Sequence, residues 1–167
     1  MKSFFFSLFL LASFNLKAQS WEPVTIDNKI TVEFPVAPAF TVQQEIRTYS
    51  AMYDSCAFIV QSNDLPKRLI PANQKELIES LDVMSGYEAA KYAKRSISRK
   101  IIKVGKYTGV EVVYYDKSLL TGKRCRTFKR LFLAGETMFQ IYGFDNGKDP
   151  KAEEMLIMKF LQSVALK

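Results

Sequence analysis

The stretch that decides the fold runs from Lys123 to Phe144 and reads KRCRTFKRLFLAGETMFQIYGF. Two runs that contain aromatic and apolar residues, Lys123 to Leu133 and Thr137 to Phe144, flank Ala134-Gly-Glu136. Such runs are typical of strands, and a short glycine-containing break between them is typical of a tight hairpin. The pattern therefore predicts two antiparallel strands that lie side by side in one sheet.

The preceding segment extends this hairpin into a meander. Ile97 to Val104 and Val110 to Asp116 are also predicted strands, and Gly105 and Gly109 interrupt the chain between them. Four consecutive strands joined by short turns indicate an antiparallel sheet rather than a parallel one.

The chain before residue 62 also consists of predicted strands. A turn pair, Asp27-Asn28, separates the first two strands, and the prolines of Phe34-Pro-Val-Ala-Pro38 end the ladder because proline cannot donate to it. The predicted strands of this region are Val24 to Ile26, Ile30 to Phe34, Phe40 to Thr48 and Tyr53 to Gln61.

A first helix is predicted after residue 72. Asn73 is a good N-cap and Glu76 completes a capping box, with Leu77, Ile78, Leu81 and Met84 following on one face. Gly86 either ends this helix or interrupts it, with Tyr87 to Arg95 as its continuation.

A second helix is predicted near the end of the chain. Asp149 is an N-cap followed by Pro150 at the first helical position. The apolar residues Ala152, Leu156, Phe160 and Val164 recur at i, i+4 spacing and predict the face that packs on the sheet. Two main helices and seven or eight mainly antiparallel strands indicate a single α+β sandwich domain.

The first residues have the layout of a secretory signal peptide. Met1-Lys2-Ser3 is short and positive, and Phe4 to Phe14 is an apolar run of 11 residues. A spanning helix needs about 20 such residues, so the sequence predicts no transmembrane anchor. We expect residues 1–18 to be removed, with cleavage after Ala18 or Ser20, and a soluble domain of residues 19–167 to be exported to the periplasm or outside the cell.

The composition excludes several kinds of site. The chain contains no histidine, which rules out a Ser-His-Asp triad, a Cys-His pair and a histidine-ligated zinc within it. An oxidising compartment would allow a disulfide between Cys56 and Cys125. The alternation of Met52, Cys56, Phe58 and Val60 equally allows a buried free thiol at Cys56.

The acidic residues and glycines give no strong site either, and no cofactor or metal is predicted. Acidic residues on the first helix are typical of a solvated face, and those near the start of the second are favoured by its dipole. The turn after residue 144 does not match a calcium loop, and Gly105 and Gly109 lack a P-loop context. The acidic sets are Glu76, Glu79 and Asp82; Glu153 and Glu154; and Asp54 and Glu111 on separate strands.

The uneven distribution of charge along the chain is the strongest functional signal in the sequence. Residues 91–130 contain thirteen Lys or Arg and two acids, a net charge of +11. Folded onto neighbouring strands, this segment could form an anion-binding surface. The candidate anion-binding residues are Lys91, Lys94, Arg95, Arg99, Lys100, Lys103, Lys106, Lys123, Arg124, Arg126, Lys129 and Arg130.

Two interpretations of this basic block remain open. In an exported protein it could bind anionic lipid headgroups, lipopolysaccharide phosphates or acidic polysaccharide, while the export signal disfavours nucleic acid. Alternatively, its charges protect sheet edges or pair with the acidic first helix. Arg124, Arg126 and Arg130 share strand parity with Phe128, so that side of the strand would be partly covered.

Three short motifs resemble the PsbP-like fold family. They are Val32-Glu-Phe-Pro-Val-Ala-Pro38, Tyr107-Thr-Gly-Val-Glu111 and Lys159-Phe-Leu-Gln-Ser-Val164, although Val164 stands where the family usually has an aromatic residue. That superfamily includes extrinsic photosystem II subunits, a small Ran-binding protein of nuclear import and exported bacterial proteins. The resemblance implies an αβα sandwich with a central antiparallel sheet, and binding or accessory roles without catalytic residues.

These observations predict an exported, non-catalytic binding or accessory protein. Its partner would be an unidentified protein or envelope component. The alternative is a binder of polyanions or anionic membrane surfaces that uses the basic block. A third class, an enzyme that uses paired carboxylates, would require two carboxylates to converge in a cleft with raised pKa values.

Overall fold

Two antiparallel sheets and two helices make up the part of the chain that the structure, a computed structural model, describes: residues 21–87, 96–117 and 124–167. The helices are α1 (Gln74–Ser85) and α2 (Pro150–Gln162), and a 3-10 turn spans Lys67–Leu69. The strands are β1 (Glu22–Ile26), β2 (Ile30–Phe34), β3 (Ala39–Gln43), β4 (Ile46–Tyr53), β5 (Cys56–Asp64), β6 (Ser96–Val104), β7 (Tyr107–Lys117), β8 (Arg124–Ala134), β9 (Thr137–Phe144) and β10 (Ala165–Leu166).

The main sheet joins two meanders. Its strand order is β3-β4-β5-β9-β8-β7-β6, and every neighbouring pair is antiparallel. The first meander contributes β3 to β5 and the second β6 to β9. The two meet where β5 pairs with β9, in a register that runs from Ala57 opposite Phe144 to Asp64 opposite Thr137. The edges of this sheet are therefore β3 and β6.

The two helices cover opposite faces of the main sheet. On one face, Phe58 of β5 and Phe139 of β9 belong to the larger core, which also contains Phe160 of α2. On the other face, Leu131 of β8 packs in a second cluster with Leu81 of α1. This gives an α–β–α layering, so the predicted α+β sandwich is confirmed.

A small sheet of order β1-β2-β10 packs on the same side as α2. Ionic contacts tie its β1–β2 turn to the main sheet. Arg47 of β4 lies 2.9 Å from Asp27 and 3.2 Å from Asp64, measured between side-chain nitrogen and oxygen. Lys29 donates to the Thr137 hydroxyl, which in turn donates to Asp64. The sequence did not predict this second sheet.

Both helix starts were predicted correctly. The Asn73 side chain accepts from the Glu76 amide at 3.0 Å, and a Glu76 carboxylate oxygen accepts from the Ala72 amide. Gly86 ends α1 with a φ of 73°, a left-handed conformation that glycine adopts without strain. The continuation over residues 88–95 lies outside the described residues.

The second helix starts as predicted, and its buried face matches the predicted face in part. Asp149 caps α2 by accepting from the Ala152 amide. The buried residues are Glu153, Ile157, Phe160 and Leu161. Of the predicted face, Phe160 is buried, Leu156 and Val164 pack against the larger core, and Ala152 is exposed. The buried Glu153 carboxylate accepts from the backbone amides of Gly147 and Lys148.

The predicted strand from Phe40 to Thr48 is wrong. The chain reverses at Gln44-Glu45, whose φ angles are 48° and 67°, and so forms the separate strands β3 and β4. A second reversal at Asp54-Ser55 separates β4 from β5. Neither pair is the Asn-Gly or Asp-Gly that marks such turns most strongly, so the sequence gives little local sign of them.

The Cys56–Cys125 disulfide that the sequence left open is absent. Cys56 is a buried thiol without a disulfide, and its Sγ lies 3.9 Å from the carbonyl oxygen of Glu153. Burial raises the pKa of this thiol to about 12. Cys125 lies on β8, and β9 runs between β5 and β8, which separates the two backbones by about 9–10 Å. That spacing exceeds what a disulfide can bridge.

Across the described ranges, neither helix has the length and apolar character needed to cross a membrane.

Candidate functional site

The structure describes only part of the basic block. Lys91, Lys94, Arg95 and Lys123 lie outside the described residues, and Arg124 is placed by its backbone on β8. The other seven candidates lie on β6, β8 and the β6–β7 turn.

On the side of α2, Arg126 forms the densest set of contacts in the block. Its guanidinium contacts Asp145 at 2.5 Å and Glu154 at 2.7 Å, and it donates to the Pro150 carbonyl. Burial alone would lower the pKa of Arg126, but hydrogen bonds and charges from the two carboxylates outweigh it and raise the pKa. Arg126 therefore fastens the start of α2 to the sheet.

Glu111 connects two further basic residues on the same side of the sheet. Its carboxylate lies 2.8 Å from the Lys100 amine and 2.6 Å from the Arg130 guanidinium, in a row across β6, β7 and β8. Burial would raise the pKa of Glu111, but the hydrogen bonds and charges of these two cations lower it. Arg130 also donates to the carbonyl of Leu161 in α2.

On the side of α1, the contacts are fewer. Arg99 of β6 makes a bidentate contact with Asp82 of α1, with distances of 2.9 and 2.6 Å. Lys103 donates to the Thr108 hydroxyl at 2.7 Å. The amine of Lys106 lies 5.4 Å from the centre of the ring of Tyr107.

Lys129 is the most unusual member of the block. Its side chain lies on the α1 side of β8, and the residue is only 7% exposed. Its amine donates to the Met84 carbonyl at 2.9 Å and lies 4.9 Å from the ring centre of Tyr142. Burial lowers the pKa of Lys129 to about 8.

Strand alternation therefore divides the described part of the block between two faces. Lys100, Arg126 and Arg130 lie on the α2 side, and Arg99 and Lys129 lie on the α1 side. Four of these five contact carboxylates. Arg99 contacts Asp82 of α1, as the internal-pairing interpretation expects, whereas Lys100 and Arg130 contact Glu111 of β7. Arg126 contacts Asp145 in the loop before α2 and Glu154 of α2. Anion binding by the block stays a prediction.

The predicted carboxylates do not form an acid–base pair. Asp54 lies in the β4–β5 turn, whereas Glu111 lies on β7, three strands away from β5 in the sheet. Hydrogen bonds and nearby cations lower the pKa values of Asp64 and Glu111, the reverse of the raised pKa that a general acid needs. Within the described ranges, no group of three Cys, Asp or Glu side chains is arranged to hold a metal.

A different surface stands out once the strands are paired. The side of β3, β4, β5 and β9 that faces away from α2 bears no Asp, Glu, Lys or Arg, and we call this surface the open face. Its residues are Ala39, Thr41, Gln43, Ile46, Thr48, Ser50, Met52, Ala57, Ile59, Gln61, Asn63, Gln140, Tyr142 and Phe144. Met138 of β9 lies on the same side of the sheet, but it is buried in the second cluster with Leu81 of α1 and is not part of the open face.

The open face results from strand alternation. Along β5 from Cys56 to Asn63 and along β9 from Phe139 to Phe144, buried residues alternate with half-buried ones. All fourteen residues of the open face are half-buried or exposed, and Met52 has 56% of its surface exposed. The helix α1 contacts β7 and β8 instead, so it shields the other half of this side of the sheet.

Aromatic and amide side chains occupy the middle of the open face. The rings of Tyr142 and Phe144 are stacked, with centres 5.8 Å apart and planes 10° apart. The Tyr142 hydroxyl donates to the Gln140 amide oxygen at 2.7 Å. Burial raises the pKa of Tyr142, so its hydroxyl stays neutral at physiological pH. Ile59 lies directly opposite Tyr142 on β5.

This arrangement offers apolar contact and neutral hydrogen bonding. Met52, Ile59 and Phe144 supply apolar surface, and Gln61 and Thr48 supply amide and hydroxyl groups, with the Gln61 amide donating to Thr48 at 3.4 Å. The surface can therefore bind an uncharged partner, and it holds no charged group for acid–base or electrostatic chemistry.

Sequence reasoning missed this surface. It placed Met52 on the same face as Cys56, but the turn at Asp54-Ser55 puts Met52 on the open face and Cys56 in the core. The available signal was the alternation of Phe58, Ile59, Val60 and Gln61, which distinguishes the two sides of β5. What the sequence could not show is that β9 lies beside β5 and adds a fourth strand to the surface.

Comparisons with known proteins identify the fold. No family model matches the chain, and no curated protein matches it. Among solved structures, the cyanobacterial PsbP (CyanoP) of Synechocystis superposes with a TM-score of 0.63 at 8% identity, covering 95% of this chain and 99% of that one. The chain has a PsbP-like fold. The resemblance expected from the three sequence motifs is thereby confirmed at the level of the fold.

Further solved structures match the chain with lower TM-scores. PA94 from Pseudomonas aeruginosa, a protein of unknown function, matches with a TM-score of 0.50 at 12% identity, covering 86% of this chain and 95% of that one. A protein from Bacteroides thetaiotaomicron has a TM-score of 0.49 at 10% identity, covering 89% of this chain and 49% of that one. At 12% identity, the likeness to PA94 concerns the fold alone.

Proposed function

We propose that this chain is an exported, non-catalytic accessory protein that binds an uncharged surface of a protein partner through the open face. The observation that carries the proposal is the open face itself, a sheet surface of fourteen uncharged residues that α1 leaves uncovered. Most sheet faces of this size are covered by a helix or carry charged residues where water reaches them.

The chemistry of the open face determines the kind of partner. Its centre is apolar and aromatic, and its remaining positions are Thr, Ser, Gln and Asn. Protein interfaces are likewise enriched in aromatic residues and methionine and depleted of charge at their centres. A strongly charged ligand would find no counter-charge on this surface.

Export is part of the proposal. The apolar run Phe4 to Phe14 after Lys2 supports it, together with the small residue Ala18 at a cleavage position. We propose that the protein acts in the periplasm or outside the cell. The absence of histidine from the chain supports a role without catalysis.

The test is capture of partners from the cell envelope with a matched pair of methionine variants. Met52→Glu places a charge on the open face, and Met155→Glu places one on α2, where Met155 is 68% exposed. We expect the wild-type protein and Met155→Glu to retain the same partner in high salt, because salt does not weaken apolar contacts. We expect Met52→Glu to lose it.

Other outcomes would contradict the proposal. If Met52→Glu and Met155→Glu retain the partner equally, the open face is not the binding surface. If every partner is lost in high salt, binding depends on charge, and the basic block becomes the candidate.

The alternative function is binding of polyanions by the basic block. Lys106 supports it, because its described contact is the ring of Tyr107 rather than a carboxylate. Its test is salt-dependent retention on heparin or on vesicles that contain anionic lipid. Retention no greater than that of a neutral protein of similar size would reject this function.

A further inference from the structure

The two edges of the main sheet are protected very differently. Edge strand β6 carries Arg99, Lys100 and Lys103, and charges of this kind prevent unwanted pairing with another strand. Edge strand β3 reads Ala-Phe-Thr-Val-Gln and carries no charge. All five of its residues are exposed, including Phe40 at 53% and Val42 at 56%.

The β3 edge is apolar on one side and neutral on the other. Phe40 and Val42 point to the α2 side of the sheet, where the Phe40 ring lies 4.7 Å from that of Tyr49, measured between centres. Thr41 points to the open face, opposite Thr48 of β4. An exposed, uncharged edge with β-branched and aromatic residues is a template for another strand.

We propose that β3 pairs antiparallel with β3 of a second copy of this chain, about a two-fold axis through Thr41. In this register Phe40 faces Val42 of the second copy, and Ala39 faces Gln43. Because facing residues have the same parity, the backbone groups that point away from β4 in one copy meet those of the other. The strand is therefore complementary to itself.

The side chains in this register favour a second copy over an unrelated strand. The Phe40–Val42 pairs join an aromatic ring to a β-branched residue, a favourable cross-strand combination, and they form twice around the axis. No like charges oppose each other over the five residues. Pro38 ends the ladder on one side, and the Gln44-Glu45 turn ends it on the other.

The dimer joins the two main sheets into one. A two-fold axis that pairs antiparallel edges runs perpendicular to the sheet, so the open faces of both copies lie on the same side. Five-residue strands bury less surface than a standard interface of about 1,600 Å². We therefore expect a dimer that dissociates on dilution.

The test is sedimentation velocity over a wide concentration range, with protein purified in the processed form that the cell holds. Thr41 faces itself across the axis, so Thr41→Lys places two like charges in contact, and so does Thr41→Glu. We expect each variant alone to remain monomeric at concentrations at least tenfold above those at which the wild type dimerises. We expect an equimolar mixture of the two to restore the dimer.

Two controls make the result decisive. Ile101→Lys adds a charge to the other edge strand at a residue that is 49% exposed, and this variant should dimerise like the wild type. A wild-type protein that is monomeric throughout would overturn the proposal, as would dimerisation that Thr41→Lys leaves intact. Dimerisation lost only in Ile101→Lys would assign the interface to β6 instead.

These outcomes are independent of the proposed function. A monomeric wild type that still loses its envelope partner through Met52→Glu rejects the dimer and supports the binding role. A dimer disrupted by Thr41→Lys, together with partner capture unaffected by Met52→Glu, supports the dimer and rejects the open face as the binding surface. If neither effect occurs, both proposals fail.

Discussion

At the scale of single residues, Lys129 combines burial with charge in an unusual way. The amine is held by the Met84 carbonyl and the ring of Tyr142, and Lys129 is not in contact with a carboxylate within the described residues. A cation placed in this way keeps little of its hydration, and the neutral amine becomes easier to form. Lys129 therefore lies at the border of the open face as a group that can change charge in mildly alkaline solution.

This position predicts an unusual dependence of stability on pH. The pKa of Lys129 is about 8 in the folded chain, below the value of about 10.4 expected when unfolded. Between these values the unfolded chain binds more protons, so the free energy of unfolding rises with pH. We expect the wild type to gain about 2 kcal/mol relative to Lys129→Met between pH 7.5 and 9.5, measured by urea unfolding.

An exposed lysine provides the control for this experiment. Lys75 lies on α1 with 86% of its side chain exposed, so Lys75→Met should leave the pH profile of the wild type unchanged. Parallel profiles for wild type and Lys129→Met would show that Lys129 is not desolvated in solution.

At the scale of secondary-structure elements, the contact between α2 and β9 depends on a single glycine. A Cβ added to Gly143 would lie 2.3 Å from Cγ2 of Ile157, a buried residue of α2. The absence of a side chain at this position therefore allows α2 to lie close against β9.

The expected result of Gly143→Ala is a loss of about 1–3 kcal/mol in the free energy of unfolding, because the helix must move or Ile157 must change rotamer. In the double variant with Ile157→Ala, the added methyl group has space. We therefore expect the two effects to be less than additive in a double-mutant cycle measured by chemical denaturation. Full additivity would mean that the two residues do not constrain each other.

Elements also show which parts of the fold the sequence can predict. The starts of both helices were predicted because the side chains of Asn73 and Asp149 accept hydrogen bonds from backbone amides three residues further on. Such a short spacing is recognisable in the local sequence. The β3–β4 turn was missed because Gln44-Glu45 adopts a conformation that its residue types do not favour.

Long-range pairing explains the rest of what was missed. The open face requires β5 and β9 to lie side by side, although their sequences are about 80 residues apart. The basic block looked like one surface in the sequence, but strand alternation sends Lys129 and Arg130 to opposite faces. Such outcomes depend on strand order, which no local pattern contains.

At the scale of the whole molecule, the core requires no covalent cross-link. The thiol of Cys56 is buried in the larger core, with its pKa raised to about 12, so it is a poor nucleophile in the folded chain. A chain of this length can bury enough apolar surface to fold without a disulfide.

We therefore expect two results from thiol measurements. The melting temperature should be the same with and without a reducing agent. Labelling of Cys56 by a thiol reagent should follow global unfolding, because the residue is exposed only when α2 leaves the sheet. A lower melting temperature under reducing conditions would show that a disulfide forms in solution. Rapid labelling of the folded chain would show that the thiol opens locally.

Three hairpin turns contain residues other than glycine in the left-handed conformation. Asp27-Asn28, Gln44-Glu45 and Asp54-Ser55 all hold positive φ angles without a glycine, and a left-handed residue other than glycine, Asn or Asp is disfavoured by about 1–2 kcal/mol. Glycine at Glu45 or Ser55 would relieve this strain far from the core. Substitutions in these turns could therefore raise the melting temperature, and so adapt the protein to a hotter habitat, without any change to its buried residues.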